Sequence, residues 1–147
     1  MRERLFHGKR KDNGEWVEGY YVPVGEYHYI LTGKLELVSY LGFEHFLVIP
    51  ETVGQYIELP DKNGKKIFEG DIVKCTATNV DCAFTAVVLF GNPNGEYNWG
   101  FQLMRISGAN ANTDILLWVD MEETGAFIEV IGNIYDNPEL IGGKTNA

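Results

Sequence analysis

Ile67-Phe68-Glu69-Gly70-Asp71-Ile72-Val73 is the stretch on which the fold turns. Two apolar residues run into a Gly-Asp pair, and two β-branched residues run out of it. Gly70 can take the positive φ of a tight turn, the Asp71 carboxylate can accept hydrogen bonds from turn amides, and Ile72 and Val73 suit a pleated strand. The stretch reads as a turn that opens a strand. Glu69 and Asp71 stand two apart, a spacing that strand alternation sends to one side, as an acid/base or metal-binding pair requires. Capping of amides by Asp71 and solvation of Glu69 account for both without any chemistry.

Working outward, Ile72–Val73 begins a run of strand-like segments: Ala83 to Phe90, Tyr97 to Met104, Ile115 to Val119 and Phe127 to Asn133. So many short strands in so little chain predict a small SH3-like barrel, because closure removes the exposed edges of a sheet too small to stand alone. Upstream, Asp61-Lys62-Asn63-Gly64-Lys65 is a turn and marks a boundary between an N-terminal β subdomain, 1–60, and a barrel subdomain, 61–147. The first subdomain reads as strands at Phe6 to Lys11 and Glu15 to Val22 about Asp12-Asn13-Gly14, then Tyr27 to Leu31, Glu36 to Val38 and Phe43 to Ile49, the last stopped by Pro50. In the second of these, Trp16, Glu18, Tyr20 and Val22 share one face, and Val17, Gly19 and Tyr21 share the other. Asn137-Pro138-Glu139 predicts one short C-terminal helical turn. The fold class is mostly β.

The 147 residues, 45% of them hydrophobic, provide for one ordinary domain or two very small ones. No run is long and apolar enough to span a membrane, and the start carries no secretory leader, so a cytoplasmic location is expected, with no membrane partner. The two cysteines, Cys75 and Cys82, are too few for a disulfide framework. A hairpin turning about Thr78-Asn79 would set them opposite each other. With the histidines remote in sequence and no Cys-x2-Cys spacing, neither a metal nor any other cofactor is expected.

Net charge is −9, unevenly distributed. Residues 2–11 hold five basic side chains (Arg2, Arg4, Lys9, Arg10, Lys11) against Glu3, whereas residues 75–147 hold only Arg105 and Lys144 against nine acids. The second half is a poor platform for phosphates. Arg4, Lys9, Arg10 and Lys11, with Trp16, form the candidate interaction surface. Trp16, Tyr20, Tyr21, Tyr27, Tyr29, Tyr40 and Tyr56 provide either stacking for bases or the filling of a small core.

Three blocks, FHGKRKDNGEWVEGYYV (Phe6 to Val22), VIPETVGQYIELPDKNGKKIFEGDIV (Val48 to Val73) and EVIGNIYDNPEL (Glu129 to Leu140), resemble the YopX family, encoded largely by bacteriophages and prophages. The resemblance implies a mostly β protein with an SH3-type second half, and it carries no established activity. His7 stands where a basic residue is expected. Tyr56-Ile57-Glu58-Leu59 stands where the family often reads Tyr-Thr-Gly-Leu.

No nucleophile motif or phosphate-binding glycine loop is present, and no catalytic residue is assigned. The expectation is a non-enzymatic phage accessory module that binds another phage or host protein, or copies of itself as a homo-oligomer. The alternatives are a nucleic-acid binder using the basic hairpin and an acidic decoy of a host DNA-binding protein.

Overall fold

The computed structural model describes residues 5–32, 44–77, 82–91, 100–108, 115 and 125–142. Ten strands lie among them: β1 (Phe6–Lys9), β2 (Trp16–Val24), β3 (Tyr27–Thr32), β4 (Glu44–Leu47), β5 (Gly54–Pro60), β6 (Lys66–Phe68), β7 (Asp71–Ala77), β8 (Cys82–Gly91), β9 (Gly100–Gly108) and β10 (Ala126–Asn133). A 3-10 turn covers Pro50–Thr52, and a short helix, α1, covers Glu139–Gly142. The protein is mostly β, as its composition predicts. The chain divides into two compact units, Met1–Tyr56 and Ile57–Ala147, and the division falls within β5.

In the first unit the strand order is β4-β3-β2-β1, and Gly54 and Gln55 of β5 pair with His7 and Phe6 of β1. The β1–β2 hairpin forms where Asn13-Gly14 predicts it, but with a wider loop than an Asn-Gly pair alone would make. Arg10 N–H donates to Glu15 O at 2.8 Å, and of the pair only Gly14 takes a positive φ, 75°. The Asn13 side-chain carbonyl instead accepts the Glu15 N–H at 2.9 Å. A second hairpin joins β2 to β3 through Gly25, φ 61°, as a type II′ turn requires at its first central position. Past its last β1 residue the chain pairs again: Arg10 bridges Val48, Lys11 N–H donates to Leu47 O, and Ile49 N–H donates to Lys9 O. These bonds tie the end of β1 to the residues after β4 and curl the sheet around Ile30 and Val48, both fully buried. Gly19 must be glycine there, because a Cβ would sit 2.0 Å from the Leu31 carbonyl oxygen.

In the second unit the strand order is β10-β7-β8-β9, all antiparallel. The closed SH3-like barrel expected from strand counting is not what the described strands form: the four make an open sheet, with β10 at one end and β9 at the other. The predicted strands at Glu36 to Val38 and, apart from Ile115, at Ile115 to Val119 lie outside the described residues. One face of the sheet buries Val73, Cys75, Phe84, Ala86, Val88, Leu103 and Ile128 together with Ile57 and Ile67, and this is the core of the unit. Burial of the Val, Leu, Ile and Phe side chains among them contributes about 1.5–3 kcal/mol each.

The Ile67–Val73 turn forms as its residues require. Gly70 has φ 93°, and the buried Asp71 carboxylate accepts the Phe68 N–H at 2.8 Å. Gly70 N–H donates to Val88 O and Gly70 O accepts Ile134 N–H, so this one turn is bonded to both β8 and the segment after β10. The Asp61 side chain acts in the same way. It accepts N–H groups from Asn63 and Lys65 within its own turn and from Val130 of β10, while Lys62 N–H donates to Ile128 O. Residues 61 and 62 thereby occupy part of the outer edge of β10. At the C-terminus α1 starts after Pro138, but the Asn137 side chain serves as an acceptor for Asn133 N–H rather than as a helix cap.

Candidate interaction surface

The strand register distributes the basic hairpin residues over two faces. Lys9 lies directly across from Trp16, and its ammonium stands 5.9 Å from the indole centroid. On the same face the buried His7 ring stacks on Trp16 at 4.3 Å between centroids, tilted by 34°. Arg10, one residue further, projects from the opposite face, with its guanidinium 4.4 Å from the Phe46 ring centroid. Both of its ends are engaged by one acid: Nε donates to Asp12 Oδ1 at 3.0 Å and Nη2 to Asp12 Oδ2 at 2.6 Å. This bidentate pair raises the Arg10 pKa and holds the Asp12 carboxyl below its usual range, the side-chain hydrogen bond being the main cause of each shift. Among the basic residues of the described hairpin, Lys11 is exposed, and Lys9 and Arg10 are half-buried. Arg4 lies outside the described residues.

A phosphate-binding stripe requires uncompensated cations on one face. Here Lys9 and Arg10 point to different faces, Asp12 chelates Arg10, and Glu15 and Glu44 add further negative field at the guanidinium. The charge count of residues 2–11 did not show this, because the compensating acids lie just beyond that window and across the sheet.

The aromatic side chains are also sorted by face. Trp16, Tyr20, Tyr29 and His45 share one face of the first sheet, with Tyr29 and His45 meeting edge to face at 6.0 Å. Tyr21 does not belong with them. It lies on the other face between Phe6, at 5.3 Å, and His28, whose Nδ1 it meets through its hydroxyl. Tyr40 lies outside the described residues.

The register also corrects the cysteine pairing. Cys75 faces Phe84 and Cys82 faces Ala77, so the thiols are diagonal neighbours, not opposite ones, and both are free. Burial, with a smaller effect from Cys82, pushes the Cys75 thiol up to about 12. Among the described residues, no group of three or more His, Cys, Asp or Glu side chains is placed to hold a metal ion.

Exposed apolar side chains are a feature that sequence reading missed. In the first unit Val24 and Tyr27 pair across the tip of the β2–β3 hairpin, and in the second Phe90 is 61% exposed, edge to face with Phe101 of β9 at 5.1 Å. Met104 and the bulged Ile131 are exposed as well. A hydrophobic residue on a strand looks the same in sequence whether it ends in a core or beside one, so only the sheet geometry identifies these positions.

Among solved structures, the chain is similar to protein EF1440 from Enterococcus faecalis, at 20% identity and a TM-score of 0.39, with 96% of this chain and 99% of that one covered. No curated protein matches it. A family described as YopX protein matches residues 5–142, almost the full length, and the chain therefore belongs to the YopX family.

Proposed function

We propose that this protein is a non-enzymatic binding module, of phage or prophage origin, that associates with proteins and first of all with copies of itself. The exposed Phe90 carries this reading. Its strand, Cys82–Gly91, contains no charged residue, and the paired strand Gly100–Gly108 contains only Arg105, in a chain of net charge −9. Acidic copies repel one another at a distance, so a self-contact is favoured where like charge is least. Arg105 adds no acid and donates to Gly108 O.

The expected result is a concentration-dependent increase in mass by light scattering that Phe90→Lys abolishes without loss of the folded state. A wild-type protein that stays at single-chain mass at every concentration would refute self-association. The nucleic-acid alternative draws less support, since Arg10 is occupied by Asp12 and Lys9 lies on the other face. A labelled single-stranded oligonucleotide titrated at low salt is expected to show no saturable binding.

A further inference from the structure

Among the described residues two Asn-Gly pairs are exposed, at the tips of the β1–β2 and β5–β6 turns, and they differ in one chemically decisive respect. At Asn13 the side-chain amide is held at both ends: Oδ1 accepts the Glu15 N–H at 2.9 Å and Nδ2 donates to Glu15 Oε1 at 3.2 Å. At Asn63 the bonds made are those of the backbone, its N–H donating to Asp61 Oδ1, while its side chain is exposed and takes part in no hydrogen bond. In both pairs the glycine has a positive φ, 75° at Gly14 and 81° at Gly64, and nothing lies within 4 Å of where its Cβ would be. The glycine N–H donates to a turn carbonyl at 3.0 Å in each, Gly14 to Arg10 O and Gly64 to Asp61 O. The backbones are thus matched, and the side chains are not.

From this difference we infer that Asn63 is a site of spontaneous covalent modification, deamidating through a cyclic imide while Asn13 is protected by its folded contacts. The Gly64 backbone nitrogen attacks Asn63 Cγ. The new N–C bond closes a five-membered imide, the Cγ–Nδ2 bond breaks, and ammonia leaves carrying the proton that the Gly64 amide gives up. Solvent water then opens either imide carbonyl, giving aspartate or isoaspartate at position 63. The step needs an asparagine amide free to rotate toward the following nitrogen and a following residue without a side chain. Of these two asparagines, Asn63 has both and Asn13 does not.

The product places a carboxylate between Lys62 and Lys65 in the turn whose Asp61 side chain also accepts the Val130 N–H. In the isoaspartyl form the chain is longer by one methylene at a turn closed by the 2.8 Å bond from Asn63 N–H to Asp61 Oδ1. Modification is therefore expected to loosen this turn from β10 without unfolding the sheet.

The test is peptide mapping by mass spectrometry, with isoaspartate detection, of the full chain held at mildly alkaline pH. One sample is folded and a parallel one is in concentrated urea. Conversion in the folded protein is expected to be several-fold faster at Asn63 than at Asn13, and the two rates are expected to converge in urea, where the Glu15 contacts are gone. Equal rates in the folded protein, faster conversion at Asn13, or no conversion at Asn63 would overturn the inference. A ratio that persists unchanged in urea would also overturn it, by assigning the difference to local sequence. Glu15→Ala, which removes one of the two holds on Asn13, is expected to accelerate Asn13 and leave Asn63 unchanged.

Discussion

At the scale of single residues, Asp71 and Glu58 show how much one position can cost the folded state. Burial raises the Asp71 pKa from its ordinary 3.8 to about 7, against the opposing pull of the Phe68 N–H and Lys65, with Asp61 adding to the rise. The folded state therefore holds this proton more tightly than the unfolded chain does. Below about pH 4 both forms are protonated and nothing is lost. As pH rises from there to about 7 the unfolded chain ionises first, and stability falls by up to about 4 kcal/mol at about 1.4 kcal/mol per pKa unit. Asp71→Asn retains an acceptor for Phe68 N–H and stays neutral, so denaturant titrations are expected to show a smaller loss of stability across that window than in wild type. Equal slopes would contradict the assignment. Glu58 is the one non-glycine residue with positive φ among the described residues, at 67°. It stands where the family resemblance leads one to expect glycine, and Glu58→Gly is expected to stabilise the protein by about 1 kcal/mol, measured as a rise in the denaturation midpoint. The sequence exposed the departure but not its backbone strain, which is set by the φ angle.

At the scale of elements, what was legible and what was not divides by range. The Gly70-Asp71 turn could be read because its shape rests on the positive φ of Gly70 and on the Asp71 bond to Phe68 N–H three residues away, whereas its bonds to Val88 and Ile134 could not. The register between β7 and β8 could not. A hairpin centred between Thr78 and Asn79 puts Cys75 opposite Cys82, whereas the observed pairing of Ala77 with Cys82 shifts the centre by one residue and makes the thiols diagonal. The consequence is measurable with a thiol reagent: Cys82, half-buried, should react in the folded protein and Cys75, fully buried, only after unfolding. Simultaneous reaction of both under native conditions would contradict the burial of Cys75 beneath the sheet. Asp61 was read as a boundary marker, and its bond to Val130, 69 residues away, was invisible in sequence. Asp61→Ala strips acceptors from Asn63, Lys65 and Val130, and is expected to destabilise the second unit by about 2 kcal/mol, the buried share falling at Val130. Urea unfolding followed at a probe in that unit checks it.

For the whole molecule, composition gave the fold class reliably, because β-branched and aromatic residues between closely spaced turns have few other uses. Closure of a barrel is a non-local property that strand counting cannot establish, and β7 to β10 of the second unit form an open sheet. Clustering along the chain does not carry over to one face either: Lys9 and Arg10 become cations on two faces, the second of them paired with Asp12. The binding surface proposed above is apolar, centred on Phe90 in a ladder with a single charged side chain. The measurement that bears most directly on this account is light scattering coupled to size separation, run over a wide concentration range on wild type and Phe90→Lys. The account predicts that the wild-type mass climbs above that of one chain as concentration increases while the variant stays at one chain with its fold intact. A wild type that remains a single chain throughout, or a variant that associates as strongly as wild type, would contradict it.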